Sequence, residues 1–137
     1  MTKVVTVKRR ALAANEERAE RLRARFTASG SLVANLISSP GSGKTTLLEA
    51  TVRALDGELT TAVIEGDVAT ETDADRIRAL GVPAHQILTG GACHLDARLV
   101  EAGIEEGGLP DVDILFIENV GNLICPTTYD LGEDFKV

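Results

Sequence analysis

Residues 35–48 read NLISSPGSGKTTLL: an apolar run, a glycine-rich turn, and then Lys-Thr-Thr opening a stretch with helical character. A strand, a glycine-rich turn and a helix in this order form the loop that wraps the phosphates of a nucleoside triphosphate. Gly41 and Gly43 let the backbone approach a ligand more closely than a side chain would allow. The stretch therefore predicts a triphosphate-binding loop that follows the first strand of an α/β sheet.

The residues assigned to the nucleotide are Gly41, Ser42, Gly43, Lys44, Thr45 and Thr46. The N–H groups from Gly41 to Thr45 line a nest for the β-phosphate, at the positive end of the following helix. Lys44 supplies a mobile charge for the β/γ oxygens, and the Thr45 hydroxyl is a hard ligand for Mg²⁺. Ser38 stands where the pattern G-x-x-x-x-G-K-[ST] has its first glycine. A Gly/Ser-rich turn that binds nothing is the alternative.

Apolar runs alternate with helical stretches along the rest of the chain. Strands are predicted at 32–37, 62–64, 84–88 and 114–117, and helices at 8–28, from the loop to 55, at 70–80 and at 95–104. This alternation predicts a three-layer P-loop NTPase fold, with a mostly parallel sheet and flanking helices, that stops after the fourth or fifth strand. We expect residues 1–30 to form an N-terminal helical arm, either docked as a peripheral helix or mobile until it meets a partner. Residues 31–137 would form a partial nucleotide-binding domain.

The charge of the chain is unevenly distributed. The 137 residues carry a net charge of −7. Eight of the 14 Lys and Arg residues but only three of the 21 acids lie in the first 25 positions, which gives +5 there and −12 in the remainder. So acidic a domain argues against a general nucleic-acid binder. The chain shows no apolar run of the roughly 18 residues that a membrane span needs and no secretion signal, so we expect a cytoplasmic protein without a membrane partner.

Carboxylates follow two of the predicted strands. Asp67 and Glu118 stand where a phosphate loop needs an acid to hold Mg²⁺, directly or through water. The amide of Gly121, three residues past Glu118, is a candidate contact for the γ-phosphate. Of the acids in the first turn of the 70–80 helix, Asp75 is our candidate for orienting the attacking water or touching Mg²⁺. Solvated strand ends and helix capping are the alternatives. The candidate catalytic set is Lys44, Asp67, Asp75 and Glu118.

Cys93, His94 and Cys125 form a second group. Two thiolates and an imidazole suit Ni²⁺ or Zn²⁺. The spacing is weak support, because 31 residues separate the two cysteines, and a buried small-residue role for Cys125 is the alternative. Three ligands also leave a metal site open. Sharing ligands across a two-fold axis would complete it and would make metal binding promote a homodimer.

Four segments together resemble the family of hydrogenase-maturation GTPases that deliver nickel (HypB type). They read SSPGSGKTTLLE, VIEGDVATETDADRIRALGVP, TGGACHLDARLV and DILFIENVGNLICP. The resemblance runs from about Leu32 to the end of the chain. It implies a GTP-hydrolysing metallochaperone that cycles between GTP and GDP, serves a hydrogenase large-subunit precursor with other maturation accessory proteins, and carries a Ni²⁺/Zn²⁺ site at a dimer interface. The family's Cys-His pair corresponds to Cys93 and His94, and its second cysteine to Cys125.

The guanine-reading segment N-K-x-D of such GTPases does not occur in these 137 residues. The chain stops about where the family's next strand begins, so we expect a partial chain, and guanine preference depends on the resemblance alone. Two other functions stay open. One is an ATP-dependent P-loop enzyme of the kinase or ligase type. The other is a non-enzymatic nickel- or zinc-binding dimer with an incomplete nucleotide site.

Overall fold

The structure is a computed structural model that describes residues 2–39, 43–66, 72–90 and 92–137; the side chains of residues 2–6, 8 and 72 are not described. The helices are α1 (Thr2–Ser29), α2 (Lys44–Leu55), α3 (Thr72–Arg78) and α4 (Ala97–Gly107), with a short 3₁₀ turn at Cys125–Thr127. The strands are β1 (Leu32–Leu36), β2 (Thr61–Glu65), β3 (Ala84–Gln86), β4 (Ile114–Glu118) and β5 (Phe135–Lys136).

The five strands form one parallel sheet in the order β3-β2-β4-β1-β5. The register pairs Leu36 and Glu65 with Glu118, on either side of β4. The last residues of β1, β2 and β4 therefore lie at one level, at the carboxyl edge of the sheet. Open α/β sheets bind their ligands at this edge. The prediction of a mostly parallel sheet with flanking helices is confirmed.

Both faces of the sheet are covered, which gives the three layers expected. Alternate strand residues point to opposite faces, and the buried side chains form two groups accordingly. The face toward α1 and α4 contains Leu22, Phe26, Val33, Ile64, Leu95, Val100, Ile104, Leu115 and Ile117. The face toward α2 and α3 contains Ala34, Leu36, Leu48, Val52, Val63, Ala74, Ile77 and Phe116. Strands covered on both sides explain why their sequences read as nearly continuous apolar runs.

The second half of α1 is docked on the sheet. Ala19, Leu22 and Phe26 are buried in the same cluster as β1 and α4. Polar contacts hold the helix at one end of the sheet, because the Arg23 guanidinium bonds both Asp130 oxygens at 2.7 and 2.8 Å. The described residues thus favour the docked helix over the mobile arm. The division of the chain at residue 30 stays a prediction.

The predicted elements and the structure differ at their ends. The helix predicted at 8–28 starts earlier, at Thr2, and the strand predicted at 84–88 ends at Gln86. The last strand, β5, pairs with the outer side of β1 through only two registered residues. None of the helices in the described part of the chain is long and apolar enough to cross a membrane.

Candidate nucleotide site and metal cluster

Helix α2 begins at the glycine-rich turn, as the loop motif requires. Gly43 caps it with φ 92° and ψ 23°, a left-handed conformation that a residue with a Cβ adopts only at a cost. Lys44 and Thr45 follow as the first two helical residues, and both are buried. Thr46 is exposed. The predicted contacts of Gly41 and Ser42 lie outside the described residues.

The side chains of Thr45 and Glu118 meet at the carboxyl edge of the sheet. The Thr45 hydroxyl donates to Glu118 Oε1 at 2.9 Å. Glu118 is only 1% exposed, and among the described residues its Oε2 has no hydrogen-bond partner. A buried carboxylate oxygen without a partner is costly unless a cation or a donor meets it. The hydroxyl and the carboxylate are both hard oxygen ligands, so they fit the Mg²⁺ that a triphosphate carries.

Two further carboxylates lie close to the Glu118 carboxylate of this pair. One oxygen from each of Glu65, Asp73 and Glu118 lies within 4.8 Å of the others. Glu65 and Glu118 are almost completely buried, so two ionised carboxylates at these positions would repel each other with little screening by water. A divalent cation would offset this repulsion. The arrangement therefore favours a cation site at the edge where the nucleotide phosphates are expected.

The structure differs from the predicted set in two respects, and the role of Asp75 stays a prediction. Asp73, rather than Asp75, is the α3 acid that approaches Glu118, whereas Asp75 is exposed and accepts from Arg78 Nη1 at 3.0 Å. Glu65 was missed as a site residue. The register would have indicated it, because Glu65 pairs with Glu118 across β2 and β4. Asp67 lies outside the described residues. Gly121 lies half-buried in the bend past Glu118, and its contact with phosphate stays a prediction.

Cys93, His94 and Cys125 come together although 31 residues separate the cysteines. The two sulfur atoms and a ring nitrogen all lie within 4.8 Å of one another. Cys93 Sγ is 3.5 Å from His94 Nδ1. The Asn122 side chain shapes the loop that brings in Cys125, since its Oδ1 accepts from the backbone N–H groups of Ile124 at 2.8 Å and Cys125 at 3.3 Å.

The surroundings of the cluster shift the pKa values of Cys93 and His94 in opposite directions, and both shifts favour the uncharged form. A hydrogen bond with the Cys125 thiol, followed by desolvation, raises the pKa of Cys93. Burial lowers the pKa of His94 despite the nearby charge of Asp96. The imidazole is therefore largely neutral at pH 7 and has a lone pair to offer. Both cysteines are free thiols, and two sulfurs with one imidazole nitrogen suit Ni²⁺ or Zn²⁺ better than Mg²⁺.

Tyr129 is a further member of this cluster that sequence reasoning missed. Its ring stacks on the His94 imidazole with 3.9 Å between centroids and 13° between planes. The stack fixes the plane of the imidazole and so helps to determine where its nitrogens point. The only signal in the sequence was an aromatic residue four positions after Cys125. Such a spacing places two side chains together in a helix, but it predicts no contact in a loop.

The parallel sheet, the glycine turn that opens α2 and the Thr45–Glu118 pair define a nucleotide-binding domain of the P-loop class. The described residues add a thiol–imidazole cluster at the same end of the sheet. The description "CobW/HypB/UreG, nucleotide-binding domain" matches residues 32–135, and the chain belongs to this family.

The chain is similar to curated proteins named hydrogenase maturation factor HypB. It is 57% identical to the one from Escherichia coli K12 over 123 residues, which cover 90% of this chain and 42% of that protein. It is 52% identical to the one from Azotobacter chroococcum, covering 99% of this chain and 45% of the relative. The crystal structure of HypB from Helicobacter pylori in complex with nickel matches with a TM-score of 0.82 at 46% identity, covering 90% of this chain and 58% of that chain. The chain thus spans about half the length of the proteins it matches.

Proposed function

We propose that this chain is the nucleotide-binding part of a Mg²⁺-dependent GTP-hydrolysing metallochaperone that delivers nickel during [NiFe]-hydrogenase maturation. One observation carries the proposal: the sulfurs of Cys93 and Cys125 and a ring nitrogen of His94 come together near the end of β4, the edge at which Thr45 meets Glu118. The names of the similar proteins, and the nickel complex of one of them, support the same function.

In the nucleotide half of the site, the chain positions charge around the transferred phosphoryl group. Lys44 and the loop amides would stabilise negative charge on the β/γ oxygens, and Thr45 and Glu118 would hold Mg²⁺, with Asp67 as a further ligand. Mg²⁺ supplies Lewis-acid stabilisation of the phosphate oxygens when it is bound. Guanine is proposed as the base because of the family.

In the metal half, three protein ligands leave room for another. Leu123 and Ile124, next to Cys125, are 61% and 77% exposed. Large apolar side chains exposed beside an incomplete metal site suit an interface with a second copy of the chain. We therefore propose a homodimer that binds Ni²⁺ or Zn²⁺ between its subunits. The hydrogenase large-subunit precursor and other accessory proteins are the proposed partners, in the cytoplasm.

Two substitutions in the complete protein test the two halves separately. Lys44→Ala should abolish Mg²⁺-dependent GTP hydrolysis and leave Ni²⁺ binding intact, whereas Arg53→Ala, an exposed control at the end of the same helix, should hydrolyse GTP normally. Cys125→Ala should lose Ni²⁺ binding, measured against a chromophoric chelator, while the exposed control Thr128→Ala keeps it.

Three results would contradict the proposal. Hydrolysis retained by Lys44→Ala would refute the assignment of the phosphate loop. ATP displacing GTP at equal concentration would favour an ATP-dependent enzyme instead. Nickel binding without any GTP hydrolysis by the wild type would favour a metal-binding dimer that is not an enzyme.

A further inference from the structure

An ion pair joins helices α2 and α3 close to the nucleotide site. The Arg76 guanidinium of α3 bonds the Glu49 carboxylate of α2 through Nη2, and its Nη1 lies 3.7 Å from Asp73 Oδ1. Arg76 thus connects an acid of one helix with an acid of the other. The function proposed above gives no role to Arg76 or to Glu49.

Glu49 belongs to the helix that carries Thr45, a proposed Mg²⁺ ligand. The two residues are four positions apart, so they lie on the same side of α2, one turn from each other. Leu48 is 1% exposed and anchors this turn in the core. Only 17% of the Glu49 side chain is exposed. Glu49 is therefore a firmly placed anchor beside the nucleotide loop.

Asp73 brings α3 to the same site. One of its oxygens lies within 4.8 Å of oxygens of Glu65 and Glu118. The Asp73 side chain is 34% exposed, whereas the two glutamates are almost completely buried. Two ionised carboxylates beside it would push Asp73 toward water whenever no cation is bound. Arg76 opposes this displacement, because it attracts the Asp73 carboxylate and is itself tied to α2.

These contacts form a ring around the proposed Mg²⁺ site. In one half of the ring, Thr45 bonds Glu118, whose carboxylate neighbours Asp73. In the other half, Arg76 connects Asp73 to Glu49, which lies back on the helix of the nucleotide loop. The ring thus joins the helix that begins at the loop to the helix that supplies the third carboxylate.

We propose that Glu49 and Arg76 are positioning residues for the Mg²⁺ that accompanies the nucleotide: their ion pair fixes α3 against α2 and so holds the Asp73 carboxylate at the cation site. The inference rests on the proposed function, since it requires that the loop binds a nucleotide with Mg²⁺. Neither side chain is itself a ligand. Both act through Asp73, so the loss of either has the same consequence, a carboxylate that the cation must first order.

Plain electrostatics predicts a different pattern for the same substitutions. A cation is attracted by a negative charge and repelled by a positive one. Without a positioning role, Glu49→Gln would weaken Mg²⁺ binding and Arg76→Ala would strengthen it. A positioning role predicts that both substitutions weaken it. Arg76→Ala is the decisive variant, because the two explanations give its effect opposite signs.

The test measures Mg²⁺ affinity directly. Mg²⁺ is titrated into the complete protein bound to a fluorescent, non-hydrolysable GTP analogue, and a parallel titration in EDTA gives the affinity for the nucleotide alone. Arg76→Ala and Glu49→Gln should each raise the Mg²⁺ dissociation constant about three- to tenfold, the effect of freeing one side chain. Both should bind the nucleotide in EDTA within about twofold of the wild type. The double variant should be no weaker than the weaker single variant, because the two residues act as one unit.

Two variants complete the comparison. Arg78→Ala removes an arginine of the same helix that is similarly exposed, 38% against 44% for Arg76. Arg78 bonds Asp75, which lies outside the carboxylate cluster, and the Ala84 carbonyl, both at 3.0 Å. Its loss should loosen α3 and lower the urea midpoint but leave Mg²⁺ affinity within about twofold. Arg76→Lys keeps the charge on a single ammonium group and should fall between the wild type and Arg76→Ala.

The outcomes separate this inference from the proposed function. Unchanged or tighter Mg²⁺ binding by Arg76→Ala would overturn the positioning role, and so would an equal loss in Arg78→Ala. A wild type that binds no nickel, while its variants follow the expected Mg²⁺ pattern, would refute nickel delivery and support the positioning role. A wild type that binds no nucleotide with Mg²⁺ would refute both.

Discussion

Replacing Tyr129 by alanine tests whether the stacked ring prepares His94 for metal binding. The two rings lie 3.9 Å apart and only 13° from parallel. His94 Nδ1 is meanwhile 3.5 Å from the Cys93 sulfur. Without Tyr129, the imidazole gains freedom to rotate away from the cysteines. Part of the free energy of metal binding would then be spent on ordering the ring.

The size of the effect follows from two estimates that agree. A stacked aromatic pair contributes about 0.5–1.5 kcal/mol beyond the area it buries. Immobilising a side chain on binding costs about 0.5–1.5 kcal/mol. Either figure corresponds to a dissociation constant for Ni²⁺ that is roughly two- to thirteenfold larger. This loss is far smaller than the loss expected when a ligand itself is removed.

The assay compares four proteins in the same chelator competition. Tyr129→Phe keeps the ring and should bind within about twofold of the wild type, because the stack needs no hydroxyl. Tyr129→Ala should show the two- to thirteenfold loss, and His94→Ala should lose more than either. Thermal unfolding of each metal-free protein verifies that all four are folded.

Two results would refute this reasoning about the stack. If Tyr129→Ala bound nickel as tightly as the wild type while His94→Ala did not, the ring would have no part in orienting the ligand. If Tyr129→Phe were as weak as Tyr129→Ala, the hydroxyl rather than the stacking would matter.

Three further predictions concern stability, each measured by urea unfolding. Thr45→Val keeps the shape of the side chain but removes the hydrogen bond to buried Glu118, and should lower the free energy of unfolding by about 1–3 kcal/mol. An unchanged urea midpoint would contradict this prediction. Gly66→Ala inserts a methyl into a space already filled by a leucine side chain and should cost about 1–3 kcal/mol, and a loss below about 0.5 kcal/mol would show that the contact is loose. Burial alone would raise the pKa of Asp130, but its hydrogen bonds with the Arg23 guanidinium and with other groups lower this pKa. The stabilisation by this ionised carboxylate is therefore present above about pH 4 and is lost as the pH falls through the lowered pKa. Asp130→Asn should accordingly lower the free energy of unfolding by roughly 1 kcal/mol at pH 7 and by less at pH 3. An equal loss at the two pH values would contradict the direction of this pKa shift.

The sequence was sufficient to predict the parallel sheet and the edge at which the candidate site residues converge. Apolar runs with glycine-rich or acidic ends have few interpretations in a chain where strands and helices alternate. Glu118 could be placed at this edge because it ends an apolar run, and Cys93-His94 is a distinctive pair, whereas Cys125 was assigned only through the family resemblance. Their convergence is a consequence of the parallel order, which brings the ends of the strands to one edge.

The missed residues depend on contacts between distant segments. Glu65 becomes a neighbour of Glu118 only through the β2–β4 register, and Tyr129 meets His94 only in the folded chain, with α4 and β4 between them in sequence. The choice between Asp73 and Asp75 depended on the angular position of each on α3. Both are acids near the start of a helix, where capping and dipole effects favour acids in any case. The helical period would have favoured Asp73, because it lies four residues before the buried Ile77 and so on the same side of α3.

The two clusters can share one edge of the sheet because their ligands differ in softness. The Glu65, Asp73 and Glu118 cluster offers only carboxylate oxygens, and Thr45 adds a hydroxyl, which suits Mg²⁺. The other cluster offers sulfur and nitrogen, which bind Ni²⁺ or Zn²⁺ far more strongly than Mg²⁺. A cell rich in Mg²⁺ would therefore leave the thiol cluster free for its metal, and a nucleotide could arrive and leave with Mg²⁺ without displacing nickel. This chemical difference would let the two adjacent clusters hold different ions without exchanging them.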